Sequence, residues 1–192
     1  MTATIELAFD PKTLLDLYHA PASALRSVMA TRPAPSLDDL AGWEFNGHNV
    51  GVVPGLLGIR KFRKGFFHGA PRAGGPEPFI QGYNIPVKQN GVGAPHYAKP
   101  SDESPKRFGF YRCYPAHLDP RHRRFPQALL LNYGHGGNGF SPPALLRDYL
   151  VQVRAGHSDL LLGYADISLG PVVLPFGSFF VLERCRQHTF TG

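Results

Sequence analysis

Glycine and proline together fill 41 of the 192 positions, 22 and 19 respectively. Proline has no amide proton to give a helix, and an interior glycine costs it about 1 kcal/mol relative to alanine. At that density long helices cannot be laid side by side into a bundle. Short strands joined by many turns are the alternative. Hydrophobic residues make up 43% of the chain and charged residues 18%, so it has apolar surface to bury and does not read as disordered. A chain of this length fits one domain that buries about 70% of its unfolded surface. It needs no disulfide framework or structural metal to do so.

The pattern changes near residue 40. Before it, Pro11 to Tyr18 suits a short helix with Asp10 as cap and Pro11 at its first position. Ser23 to Ala30 suits a second helix stopped before Pro33, and Ser36 to Asp39 a cap and a single turn. From residue 41 to 188 apolar residues recur with a period of two between glycine and proline clusters. This predicts strands over 43–50, 59–68, 79–88, 107–114, 127–133, 148–153, 160–168 and 177–184. Residues 144–149 also suit a helical turn after Pro142-Pro143. Eight short strands without a long crossover helix pair antiparallel, and closing the sheet removes its edges. The expected fold is therefore mainly β: an antiparallel barrel of about eight strands with a helical N-terminal segment, residues 1–40. The stretch Ser178 to Arg184 is apolar on both faces until it ends in charge, as a central or closing strand would be.

Formal net charge is +6, which favours acidic partners or small anions but says nothing of fold. The first fifteen residues carry Glu6 and Asp10 and do not read as a secretory signal. No apolar run approaches the 18 residues of a membrane span. With two cysteines, Cys113 and Cys185, a cytoplasmic protein with reduced thiols and no membrane partner is expected. A homodimer is left open.

Leu40-Ala41-Gly42-Trp43-Glu44-Phe45-Asn46-Gly47 follows the last helical turn and opens the first strand. It resembles the Gly–Trp signature that begins calycin barrels: lipocalins, fatty-acid-binding proteins and nitrobindin-like proteins. The run from Arg60 to Phe66 and the later Leu161-Leu162-Gly163-Tyr164 and Phe179 to Arg184 are similar to strands of bacterial GXWXG-type barrel domains. The likeness implies that Trp43 lies at the closed barrel base on a basic residue of a late strand, Arg184 or Arg186. Here glycine and tryptophan are adjacent, where lipocalins usually place one residue between them. A nitrobindin-like barrel would also admit haem through one histidine, with His135, His157 and His188 as the possibilities by position.

Aromatic residues alternating with sparse polar groups suit a pocket for an apolar ligand. The candidate lining is Phe62, Tyr83, Phe110, Tyr111, Arg112, Asn132 and Tyr133, with Arg112 as partner for a ligand carboxylate. The alternative is that these rings simply fill a closed core. Tyr133, His135 and Asp166 are the candidates for proton transfer, and Arg147-Asp148 joins them if it faces inward. A flexible hairpin tip explains His135 equally well, and a solvated outer charge explains Asp166. No histidine pair has zinc-site spacing apart from His117 and His122 in a charged loop, so no metal site is expected. Arg60, Lys61, Arg63 and Lys64 read as an outer or edge face, without the motifs of a nucleic-acid binder. The expected function is binding of a small apolar or aromatic molecule in the barrel. The rivals are a cofactor-free isomerase, cyclase or lyase in the same cavity, a haem barrel, and a basic RNA- or protein-binding adaptor.

Overall fold

A computed structural model describes residues 11–51, 58–70, 74–170 and 172–192. Eight strands follow one another around a closed barrel: β1 (Trp43–Val50), β2 (Lys61–Phe67), β3 (Ile80–Pro86), β4 (Phe108–Pro115), β5 (Leu129–Asn132), β6 (Leu146–Arg154), β7 (His157–Leu169) and β8 (Val172–Gln187). Every neighbouring pair is antiparallel, and β8 closes the ring on β1 from Trp43↔Gln187 to Val50↔Phe179. All eight expected strands are present. Their ends differ by a few residues, most at β8, which is longer at both ends. The open choice at 144–149 resolves into a single 3-10 turn, Pro142–Leu145, followed by β6.

Among the described residues, three short helices precede the barrel. In α1 (Leu14–Tyr18) the cap is Thr13, whose hydroxyl accepts from the Asp16 amide (3.1 Å) while the Asp16 carboxylate accepts from the Thr13 amide (2.8 Å). This reciprocal pair starts the helix later than a Pro11 start, and the expected cap Asp10 lies outside the described residues. Helix α2 (Ala22–Thr31) stops short of Pro33, and Ser36 caps α3 (Leu37–Leu40) through the Asp39 amide (3.0 Å). Leu14, Leu17, Leu25, Val28 and Met29 from α1 and α2 pack on outward-facing Tyr149, Val151, Leu162, Tyr164, Phe179 and Val181. Each such burial contributes about 1.5–3 kcal/mol before the cost of ordering the chain. These strands are therefore apolar on both faces.

The inner face carries Phe45, Phe66, Ile80, Tyr111, Cys113, Leu131, Leu150, Leu161, Phe180 and Leu182. Three inward glycines make room for rings. A Cβ on Gly47 would come within 2.3 Å of the Phe62 ring, one on Gly82 within 2.2 Å of Tyr111, and one on Gly163 within 2.0 Å of Phe180. At the barrel end where β1 begins, the Arg184 guanidinium lies 4.5 Å from the centre of the Trp43 ring. Arg186 turns instead to Glu44, 2.7 Å away. Both cysteines are free thiols, Cys113 within the barrel. No described helix is long and apolar enough to cross a membrane.

The β3–β4 connection folds back over the barrel wall. The buried Lys61 ammonium donates to Asn90 Oδ1 (2.9 Å), Gly91 O (3.1 Å), Ala94 O (2.5 Å) and Pro95 O (3.2 Å). Beside it, Nε2 of His48 meets Val92 O at 3.0 Å and Nε2 of His96 meets Gly47 O at 3.2 Å. The ring centres are 4.8 Å apart. Burial holds both imidazoles below their usual pKa, His96 at about 4, with the neighbouring cations adding to the shift.

Two predictions follow from this packing. Gly163→Val should destabilise the barrel by at least about 1–3 kcal/mol, since the methyl groups have no space beside Phe180; urea unfolding measures it. Unfolded histidine takes a proton near pH 6.5, whereas folded His96 takes one only near pH 4. The stability that neutral His96 contributes is thus present above pH 6.5 and lost as pH falls toward 4. His96→Gln should flatten the unfolding free energy against pH across that window.

Candidate functional site

Opposite residues on neighbouring strands share a face, so the register settles which side chains enter the barrel. Lys64 stands opposite inward-facing Phe45 on one side and Asn84 on the other. Asp148 stands opposite Leu131, and Leu131 opposite Cys113. Lys64, Asn84 and Asp148 therefore face inward from β2, β3 and β6. Tyr133 joins them from the 3-10 turn that follows β5.

These four side chains form one hydrogen-bonded set. Lys64 Nζ donates to Asn84 Oδ1 (2.9 Å), to Asp148 Oδ2 (3.1 Å) and to the Tyr133 hydroxyl. The Tyr133 hydroxyl donates to Asp148 Oδ2 (3.0 Å) and accepts from Asn84 Nδ2 (3.2 Å). Asn84 Nδ2 also donates to Gly109 O (3.0 Å). The ammonium thus has three acceptors for its three protons. Around it lie the rings of Phe62, Tyr111, Tyr133 and Phe180, with centroids 5.1–5.4 Å from Nζ. Three of those rings are the ones resting on inward glycines.

Lys64 is 3% exposed, Asp148 4% and Tyr133 1%. Burial pulls the Lys64 pKa down while the Asp148 carboxylate pulls it back up. Burial first, and the same carboxylate second, hold the Tyr133 phenol well above its ordinary pKa. The Tyr111 phenol is raised mainly by burial; its hydroxyl donates to Gly65 O at 3.1 Å. The set combines an ammonium, a phenol that stays protonated and a carboxylate. Its net charge is zero, one ammonium against one carboxylate.

Of the expected site residues, Phe62, Tyr111 and Tyr133 meet inside the barrel. Asp148, a candidate on condition that it faced inward, joins them there, and the others lie outside the wall. Arg112, Asn132, Arg147 and Asp166 occupy one cross-strand row of the outer face of β4 to β7. Arg112 bonds Pro76 O and the Glu77 carboxylate (2.8 and 2.9 Å) and stacks 3.6 Å from the Phe79 ring centre. Asn132 donates to the Tyr114 hydroxyl (2.8 Å), and His135 stacks on Tyr114 with centroids 6.2 Å apart. Asp166 is outward yet fully buried, 3.4 Å from Arg124. Tyr83 donates to buried Glu44 (2.9 Å), and Phe190 of the C-terminal tail packs on both Tyr83 and Phe110. The outer-face reading of Lys61 and Arg63 holds for direction, but Lys64 points the other way. Its signal was its parity with Phe62 and Phe66 on one strand.

Recesses among the described residues lie away from this interior set. One of about 340 Å³ lies at the barrel end against Trp43, Arg154, Asp159 and Arg184. Another, of about 270 Å³, lies between Arg60, Lys61, Gln89 and Gly91. None of the four interior polar residues lines either of them. For haem the residues fit poorly: His135 and His188 pack on outer-face tyrosines, and His157 is exposed at the start of β7. No imidazole faces the barrel interior among the described strand residues. No group of three metal-ligating side chains is found among the described residues.

Compared with known families, curated proteins and solved structures, the chain matches none.

Removing one partner of a buried ion pair strands the other. Lys64→Met should therefore cost about 3–5 kcal/mol. The double change Lys64→Met with Asp148→Leu should recover much of that loss, since a well-packed apolar pair replaces a buried ionic one with little or no penalty. Urea unfolding of the two singles and the double completes the cycle.

Proposed function

We propose that the protein binds a small, largely apolar or aromatic molecule inside the barrel, its polar end held by Lys64, Asn84, Tyr133 and Asp148. One observation carries the reading: four buried polar side chains, from three strands and the turn after β5, converge among aromatic rings. An apolar core would hold the barrel at least as firmly without a buried ion pair. Sparse convergent polar groups in an aromatic surround are the features of a ligand site. The neutral charge of the set favours an uncharged polar end, such as a carbonyl or hydroxyl. This differs from a carboxylate held by Arg112, which is engaged outside the wall with Glu77.

The Arg184–Trp43 stack supports a calycin-like reading of the barrel, because that likeness implies a late-strand cation on the tryptophan. The two free thiols suit a reducing, cytoplasmic setting.

A second reading draws on Tyr133, whose hydroxyl bridges Lys64 and Asp148. That bridge connects a proton donor, an amine and a carboxylate, as a cofactor-free lyase or isomerase requires.

Native mass spectrometry of the protein as purified, followed by titration with neutral aromatic compounds, tests the proposal. The expected result is a retained or saturably bound small molecule. Asn84→Ala should weaken that binding about tenfold or more, the scale of one buried hydrogen bond to a polar group. A bare mass with no saturable binding at any concentration tested would overturn it.

A further inference from the structure

We infer that Lys64 is a covalent site for a small neutral aldehyde or ketone, which it holds as an imine. The inference rests on the interior ligand site proposed above and names the class of molecule that site takes. Lys64 is the lysine whose amine is turned into the barrel, on the same face as Phe62 and Phe66. Lys61, three positions earlier on β2 and facing outward, is consumed by the carbonyls of the β3–β4 connection. The Lys64 amine lies 5.1–5.4 Å from the centres of all four rings, so an apolar body lodged among them brings its carbonyl to Nζ.

Three neighbours supply what the addition needs. Asp148, 3.1 Å from Nζ, is placed to take the ammonium proton inside a low-dielectric site, leaving the free amine that acts as nucleophile. The Tyr133 hydroxyl touches both Nζ and Asp148 Oδ2, so it can pass a proton between the carboxyl and an oxygen formed beside the amine. Asn84 bonds both the amine and Tyr133 and holds the set in register. A neutral carbonyl also avoids the repulsion that Asp148 would impose on a carboxylate ligand.

The step balances within the site. Lys64 gives one proton to Asp148, and its nitrogen lone pair forms a bond to the carbonyl carbon. The carbonyl π pair moves to oxygen, which receives the proton released from nitrogen through Tyr133. The proton on Asp148 then goes to that hydroxyl, the carbon–oxygen bond breaks and water leaves. A protonated imine remains, with the Asp148 carboxylate as its counter-ion. One ammonium and one carbonyl have become one iminium and one water, with no oxidant or reductant. The positive nitrogen can then accept electrons from a neighbouring carbon–hydrogen or carbon–carbon bond, which is the chemistry of a cofactor-free isomerase or lyase.

At 3% exposure the amine is reached only when the covering side chains move. Gly109 lies against Asn84, Tyr133 and Pro143, so the cover includes the β5–β6 connection. Trapping should therefore saturate with probe concentration, limited by opening.

The test is reductive trapping with benzaldehyde and cyanoborohydride at neutral pH, read by intact mass and by peptide mapping. The chain has six lysines, and the five others serve as internal controls. The expected result is one dominant adduct on Lys64, formed at least tenfold faster than on any other lysine. Lys64→Arg keeps the charge and should remove that adduct while retaining the fold, checked by its thermal melt. Tyr133→Phe should slow trapping and shift its pH profile without abolishing the adduct. Adducts spread over other lysines with none on Lys64 would overturn the inference, as would a Lys64 rate no greater than theirs. Saturable binding of a neutral aromatic without a Lys64 adduct would overturn the imine alone and leave the binding site standing. Failure of both would remove the site itself.

Discussion

An ammonium and a carboxylate are sealed inside the barrel, and much else in the structure answers to them. Taking the two charges from water costs several kcal/mol each, which their attraction offsets only when every remaining proton and lone pair finds a partner. Lys64 meets that condition through Asn84, Tyr133 and Asp148. The three partners come from β3, the turn after β5, and β6, so the set can exist only when the sheet has curved round on itself. A one-residue slip of β2 would turn Lys64 outward and put Arg63 or Gly65 in its place. The ion pair therefore selects register and closure, even where apolar residues would serve stability as well.

The rings around Nζ depend on glycine in turn. Phe62, Tyr111 and Phe180 lie flat on Gly47, Gly82 and Gly163, where any Cβ would enter the ring. Backbone and aromatic face thus approach closely at three points of the wall, and the ammonium sits among the rings they hold. High glycine content, which rules out a helical bundle, here also shapes the barrel interior. Outside, the helices cover β6 to β8, and the C-terminal tail covers Tyr83 and Phe110.

That outer cover explains what could be read from the sequence. Strand positions, antiparallel closure and the sharing of faces within each strand followed from a period of two and turn residues. Which face was inner did not follow, because Tyr83, Phe110, Tyr149 and Tyr164 are as apolar outside as Tyr111 and Tyr133 are inside. Alternation marks the interior only when the other face meets water. Lys64 was hidden for a related reason: within Lys61-Phe62-Arg63-Lys64 it looks like one more surface cation. Asp148 was legible as a candidate only on condition that it faced inward, and the β5–β6 register supplies that condition. Trp43 and Arg184 were the opposite case, since the Gly–Trp opening of β1 implied a late-strand cation before any contact was known.

In the proposed function the interior polar set is the place where a ligand is met, with Lys64 as its central group. The most direct measurement is the side-chain nitrogen resonance of Lys64, followed by NMR as a neutral aromatic carbonyl compound is added without reductant. The account predicts a resolved, slowly exchanging ammonium signal in the free protein. On addition that signal should fall in proportion to bound ligand and be replaced by one in the imine range. A Lys64 signal that keeps its position and intensity at saturating ligand would contradict the account and leave the ion pair as a structural pin alone.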